Sequence, residues 1–248
     1  MAGHSKWANI KHRKARMDAQ KNKLYSKISK AIIAAARRGG GDPETNAALR
    51  AALNKAREYN IPQDNVTRAI QRGTGELAGV SYEELVYEGY GPGGVAVLLE
   101  IMTDNRNRTA GEIRYLFSKH GGNLGETGCV AWMFDRRGLL VIDECALDEE
   151  ELLEAALEAG AEDLAGGQGS WEIYTAVEDV YSVKEALEKR GVLVASAGVA
   201  MVPRTTVQPE PQAVAPLLRL LDALDDHDDV QNVYANFDIP DEVMASLE

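Results

Sequence analysis

From Asp18 the apolar positions fall into helical spacing. Leu24, Ile28 and Ile32 recur one turn apart, with Ala31 and Ala35 beside them. Arg37 and Arg38 occupy the last turn, where cations suit the helix dipole, and Gly39, Gly40 and Gly41 stop it. Asp42 as N-cap and Pro43 at the first helical position predict a second helix. Its buried face is Ala48, Leu49, Ala52, Leu53 and Ala56, and it ends near Asn60. A third helix begins around Pro62 and carries Val66 and Ile70 before Gly73. Three short helices with Ala-rich contacts predict a small bundle.

Near Gly79 the pattern changes to that of strands. Leu85 to Glu88 and Val95 to Ile101 predict two strands around the turn Gly91-Pro92-Gly93-Gly94. Thr103 to Arg108 is a polar loop, and Thr109 is the expected cap of a helix carrying Ile113, Leu116 and Phe117. Val130 to Phe134 predicts another strand. Residues 138–202 then run β-α-β-β-α-β: strands at 139–142, 161–164, 171–175 and 192–202, helices at 149–159 and 180–190. This is the ferredoxin-like order.

Pro203, Pro209 and Pro211 mark a return linker, followed by a helix with Leu217, Leu218, Leu220, Leu221 and Leu224. Pro216 is expected to delay that helix, because proline suits a first turn and breaks an interior. A strand at 230–235 follows, and one helix with one strand cannot make a core. They are expected to complete the sheet begun earlier. The predicted fold is α+β with three domains: a basic helical bundle at 1–78, a discontinuous α/β middle domain at 79–135 plus 206–248, and an inserted ferredoxin-like βαββαβ domain at 136–205.

Charge divides along the same line. Residues 1–72 hold 16 Lys and Arg against 5 Asp and Glu, while the remainder holds 11 against 34. The net charge of −12 therefore averages two opposite halves. One basic end on an acidic body predicts a polyanion partner for that end and solubility from the rest. Cys129 and Cys145 stand alone in apolar surroundings without a CxxC partner, so a disulfide framework is not expected and a reducing cytoplasm is. The first ten residues carry no secretory h-region, and no window has the apolar length of a membrane span.

Catalytic signatures do not emerge. His4, His12, His120 and His227 lie at no HxxxH, HxxE or CxxC…H spacing, and no GxSxG elbow occurs. Asp148–Glu151 and Asp225–Asp229 read as solvated helix ends rather than catalytic pairs, and both glycine-rich turns lack phosphate-loop spacing. The chain is therefore expected not to be an enzyme, with no cofactor, no metal, no small-molecule substrate and no membrane. A monomer is favoured, since no heptads occur.

The basic run is different. Lys6, Lys11, His12, Arg13, Lys14, Arg16, Lys21, Lys23, Lys27 and Lys30 face a single acid, Asp18, with Trp7 and Tyr25 the aromatics among them. Residues 1–17 hold too little apolar surface to order themselves and are expected to be mobile until bound. Nucleic-acid contact through phosphate follows. Neutralising roughly five phosphates gives log K a slope of about −4 to −5 against log[salt] on duplex DNA. Asn105, Arg106, Asn107 and Arg108 form a second candidate, either an anion site at a helix start or a capped turn tied by Asp104.

These stretches resemble the YebC family. The resemblance rests on Ala2 to Lys14, Tyr87 to Ala96, Thr103 to Thr109, Gly121 to Gly125, Val130 to Trp132 and Asp228 to Tyr234, in order along the whole chain. It implies three domains with the middle one interrupted, and a DNA-binding transcriptional regulator. A related mitochondrial protein is a translational activator, and some bacterial relatives are linked to ribosomes stalled at proline runs. The partner implied is thus DNA or, alternatively, ribosomal RNA on the ribosome. The binding residues implied lie in the basic opening and in the Thr103–Thr109 loop.

Overall fold

The computed structural model describes residues 17–79, 81–143, 147–167 and 170–239. Three helices open it: α1 (Met17–Gly39), α2 (Ala47–Glu58) and α3 (Gln63–Thr74). Their apolar stripes meet in one cluster built on Ile28, Ile32, Ala36, Leu49, Ala56 and Val66. Gly73 lets α3 lie close on α1; a Cβ there would stand 2.6 Å from the Ile33 carbonyl oxygen and from the Ala36 Cβ.

The second helix starts later than its proline predicts. Asp42 accepts from the Glu44 N–H within a turn, and Asn46 is the true N-cap, its Oδ1 accepting from the Leu49 N–H at 3.0 Å. The Asn46 amide also donates to the carbonyls of Ala35 and Gly40, tying α1 to α2. A cap that serves two helices outweighs a proline that serves one turn.

A four-stranded antiparallel sheet follows, ordered β3-β1-β2-β8, from β1 (Glu83–Tyr90), β2 (Ala96–Thr103), β3 (Asn123–Leu124) and β8 (Val230–Ala235). On one face α4 (Arg106–Lys119) and α7 (Pro211–Asp225) bury Val97, Leu99, Ile113, Phe117, Leu217 and Leu221. The opposite face presents Ala96, Leu98 and Tyr234 to Val130 and Phe134. β2 and β8 are neighbours in the sheet although 126 residues separate Thr103 from Val230's predecessor Asp229.

Between β3 and α7 the chain makes a second sheet, ordered β5-β6-β4-β7 and antiparallel throughout: β4 (Phe134–Ile142), β5 (Asp163–Gly167), β6 (Ser170–Thr175) and β7 (Ser196–Pro203). Helices α5 (Glu149–Glu158) and α6 (Val180–Lys189) cover it through Leu152, Ala156, Val183 and Leu187. This is the ferredoxin-like order, inserted into the first sheet's domain, and the fold is α+β as the sequence pattern predicts. Asp148 and Glu151 close a capping box at the start of α5.

Three local expectations are corrected. The strand expected at Val130–Phe134 is a short 3-10 turn, Ala131–Met133, leading directly into β4. Helix α4 is capped by Asn105, whose Oδ1 accepts from the Arg108 N–H at 3.1 Å, and Thr109 lies inside it. Helix α7 starts at Pro211 and continues through Pro216. Proline brings no N–H to the Gln212 carbonyl, but Gln212 is an exposed residue of the first turns, where water can satisfy that carbonyl.

Candidate nucleic-acid interface

Of the residues expected to contact nucleic acid, Lys6, Trp7, Lys11, His12, Arg13, Lys14 and Arg16 lie outside the described residues. Lys21 lies in α1, and its side chain is outside them too. The remaining seven fall into two groups, and the fold brings these together.

Lys23, Lys27 and Lys30 sit on α1 at i, i+4 and i+7, one stripe of a helix. That stripe rests on the turn between α7 and β8. Lys23 Nζ lies 3.1 Å from the Asp226 carbonyl oxygen and 3.4 Å from its carboxylate. Lys27 donates to the Asp225 carbonyl at 2.7 Å. Lys30 donates to the Asp228 carbonyl at 2.9 Å and to Asp229 Oδ1 at 2.8 Å, and lies 5.5 Å from the centre of the Tyr82 ring. Carbonyls at the end of α7 have no partner within the helix and carry the negative end of its dipole, so ammonium groups cap them well.

Asp229 joins this stripe to the second group. Its other oxygen, Oδ2, accepts from Arg108 at 2.6 Å and from the Thr109 hydroxyl at 2.8 Å, with Thr103 Oγ1 at 3.1 Å. Arg108 also donates to Asp104 at 3.0 Å. Thus Asn105 and Arg108 are both engaged within the protein, one as a cap and one as a counter-ion. Arg106 and Asn107 are exposed on the first turn of α4, and Arg106 makes no ion pair among the described residues.

Asp229 corrects the reading of Asp225–Asp229 as a solvated helix end, since its side chain is only 5% exposed. Burial by itself raises a carboxyl's pKa, but the hydrogen bonds from Lys30, Arg108 and Thr109 outweigh it and hold Asp229 well below the usual carboxylate range. Beside it His227 accepts the Asp229 N–H at Nδ1 (3.1 Å), which leaves Nε2 as the donor to Glu112 at 2.9 Å. Ligand atoms of Glu112, His227 and Asp229 lie within 4.8 Å of one another, a spacing that suits a metal ion. Arg108 and Lys30 already supply the positive charge at that point, and both Asp229 oxygens have donors. The arrangement is a satisfied ionic junction and offers no open coordination position.

The bundle also carries exposed arginines that residue-level reading does not single out as contacts. Arg37 on α1, Arg50 and Arg57 on α2, and Arg68 and Arg72 on α3 are all exposed. The charge count over residues 1–72 contains them. Among the described residues no helix is long and apolar enough to cross a membrane.

A three-helix bundle clamped by lysines onto an α/β domain, with a ferredoxin-like insert, defines a multi-domain α+β protein. The chain belongs to the TACO1/YebC family. The model of the family's N-terminal domain matches residues 5–76, and that of its second and third domains matches residues 82–237. A probable transcriptional regulatory protein of Halothermothrix orenii is 59% identical over 250 residues, covering 100% of this chain and 99% of the relative. One from Dictyoglomus turgidum is 55% identical and covered in full on both sides. The crystal structure of a conserved hypothetical protein from Aquifex aeolicus is 50% identical, with a TM-score of 0.81, over 90% of this chain and 92% of that one.

Proposed function

We propose that this chain is a non-enzymatic regulator of gene expression that binds nucleic acid, DNA first, through its basic N-terminal segment on the phosphate backbone. The observation that carries this reading is the segregation of charge: 16 basic against 5 acidic residues in 1–72, on a body with 11 against 34. Exposed arginines on all three helices of the bundle extend the basic surface beyond the arm. The names of the relatives, probable transcriptional regulatory proteins, support a regulator. Phosphate contact of this kind gives affinity without sequence, so selection of a target falls to other surfaces.

Charge reversal of Lys11→Glu with Lys14→Glu tests the arm. Binding to duplex DNA, followed by fluorescence anisotropy over a salt series, is expected to weaken and its log–log salt slope to flatten by about 2. Unaltered affinity and slope would remove the arm from the interface. Cross-linking in cell lysate separates the targets. Recovery on promoter DNA at roughly 200 mM salt supports transcription, and recovery on 23S ribosomal RNA would assign the chain to translation instead.

The Thr103–Thr109 segment is the proposed second contact, now reduced to Arg106 and Asn107. Arg106→Ala is expected to weaken binding a fewfold with the melting temperature unchanged. Arg108→Ala is expected to lower the melting temperature, since it strips a buried carboxylate of a partner. Binding by Arg106→Ala equal to that of the unaltered chain would leave the segment a purely structural role.

A further inference from the structure

We propose that the acidic turn between α7 and β8 competes with nucleic acid for the lysine stripe of α1, so that the bundle is either closed on the turn or open on phosphate. The inference rests on the nucleic-acid reading above and adds a regulation to it. Lys23, Lys27 and Lys30 meet three main-chain carbonyls and three carboxylates spread over residues 225–229. A phosphate backbone offers a helix the same thing, a row of anionic oxygens reached by successive turns. The two partners cannot be held at once: in the closed form the Lys27 and Lys30 side chains are only 12% and 13% exposed.

The seam is built to open. The apolar cluster of the bundle closes within its three helices and the α2–α3 connection, which adds Tyr59 and Ile61, with Tyr82 the one contributor from beyond the bundle among the described residues, so undocking leaves that core covered. Between α1 and the strand ends a groove of about 510 Å³ runs past Leu24, Ile28, Val86 and Met102, so the two bodies are joined by ion pairs along a loosely filled seam. Residues 75–79, which follow α3, are all exposed and include Gly75 at φ +85° and Gly79. Ionic contacts screened by salt and matched by phosphate are the ones that a polyanion displaces most readily.

Zero-length carbodiimide coupling, which joins an ammonium to a carboxylate in contact, reads the closed form directly. Lys23 and Asp226 are exposed enough for the reagent, at 43% and 65%. The full chain is coupled alone and again saturated with duplex DNA, with saturation set by anisotropy and the cross-linked peptides measured by mass spectrometry. The Lys23–Asp226 product is expected to fall at least about fivefold on DNA, as a population shift requires. Asp225→Asn with Asp226→Asn is expected to bind DNA about three- to tenfold tighter, because less of the free protein is held closed. Glu149→Gln with Glu150→Gln removes the same charge from α5, which pairs with none of these lysines among the described residues, and is expected to leave affinity within about twofold. Undiminished cross-links on saturated protein, or equal gains from both double variants, would overturn the competition. Absence of binding to duplex DNA and to ribosomal RNA by the unaltered chain would overturn the nucleic-acid reading beneath it.

Discussion

Asp229→Asn is expected to lower stability by about 3 kcal/mol and the melting temperature by roughly 6–12 °C. The bundle, α4 and β2 all use the side chain of Asp229. Lys30 comes from the first, Arg108 and Thr109 from the second, and Thr103 from the third. Asparagine keeps the shape but turns an NH2 donor towards at least one of these donors. The cost sits at the low end of the range for a broken buried pair, because Arg108 keeps 44% of its side chain in water. The effect depends on pH with a definite sign. The folded-state pKa of Asp229 is depressed, so its contribution is complete above the ordinary carboxylate value near about 4 and is lost as pH falls below it. Thermal melts of the unaltered chain should therefore fall away on the acid side of about pH 4, and Asp229→Asn should flatten that limb. A variant that melts like the parent at pH 7 would show the junction to be energetically idle.

Glu88→Gln has the second large effect, expected at about 2–4 kcal/mol. Glu88 lies in β1 with 3% exposure, and its carboxylate accepts three main-chain N–H groups: Gly128 at 2.7 Å, Val130 at 2.8 Å and Ala131 at 2.7 Å. A glutamine has one acceptor oxygen and must point its NH2 at an N–H already there. Hydrogen exchange at these three amides is the measurement of choice, because the loss should be local to the loop entering β4. Exchange unchanged at all three would mean that the carboxylate does not pin the loop. The same loop carries Trp132, which donates to the Cys129 carbonyl, as does the Tyr90 hydroxyl. Glu88 therefore sets the approach of the inserted domain to the first sheet.

What the sequence made legible follows from how far apart the interacting residues are. The ferredoxin-like insert is readable because its turns, caps and amphipathic helices are local, and α5 announces itself through Asp148 and Glu151. Helix starts were less readable where two caps compete: Asn46 displaces Asp42 by serving α1 as well, and Asn105 displaces Thr109, whose hydroxyl is buried against Asp229. Glu88 gives no local sign of its burial, since its three donors arrive from a loop some forty residues on. The lysine stripe was visible as charge, but its partners lie about 200 residues away, as the 203-residue span from Lys23 to Asp226 shows. No periodicity carries information over that distance. The lysine stripe is thus legible as a run of one sign of charge, while the acids that seat it are not.

The interrupted middle domain also sets an order of assembly. Every strand and helix of the ferredoxin-like sheet has been synthesised by Pro203, whereas β2 waits for β8, which begins at Val230. The hydrophobic cluster under that sheet waits equally for Leu217, Leu220 and Leu221 of α7. Contacts this distant in sequence close large loops and form slowly. The guest domain is complete before its host, and the lysines of α1, made first, find their acidic seat last. During synthesis the lysine stripe therefore stays without its acidic partners until the chain has passed Asp229.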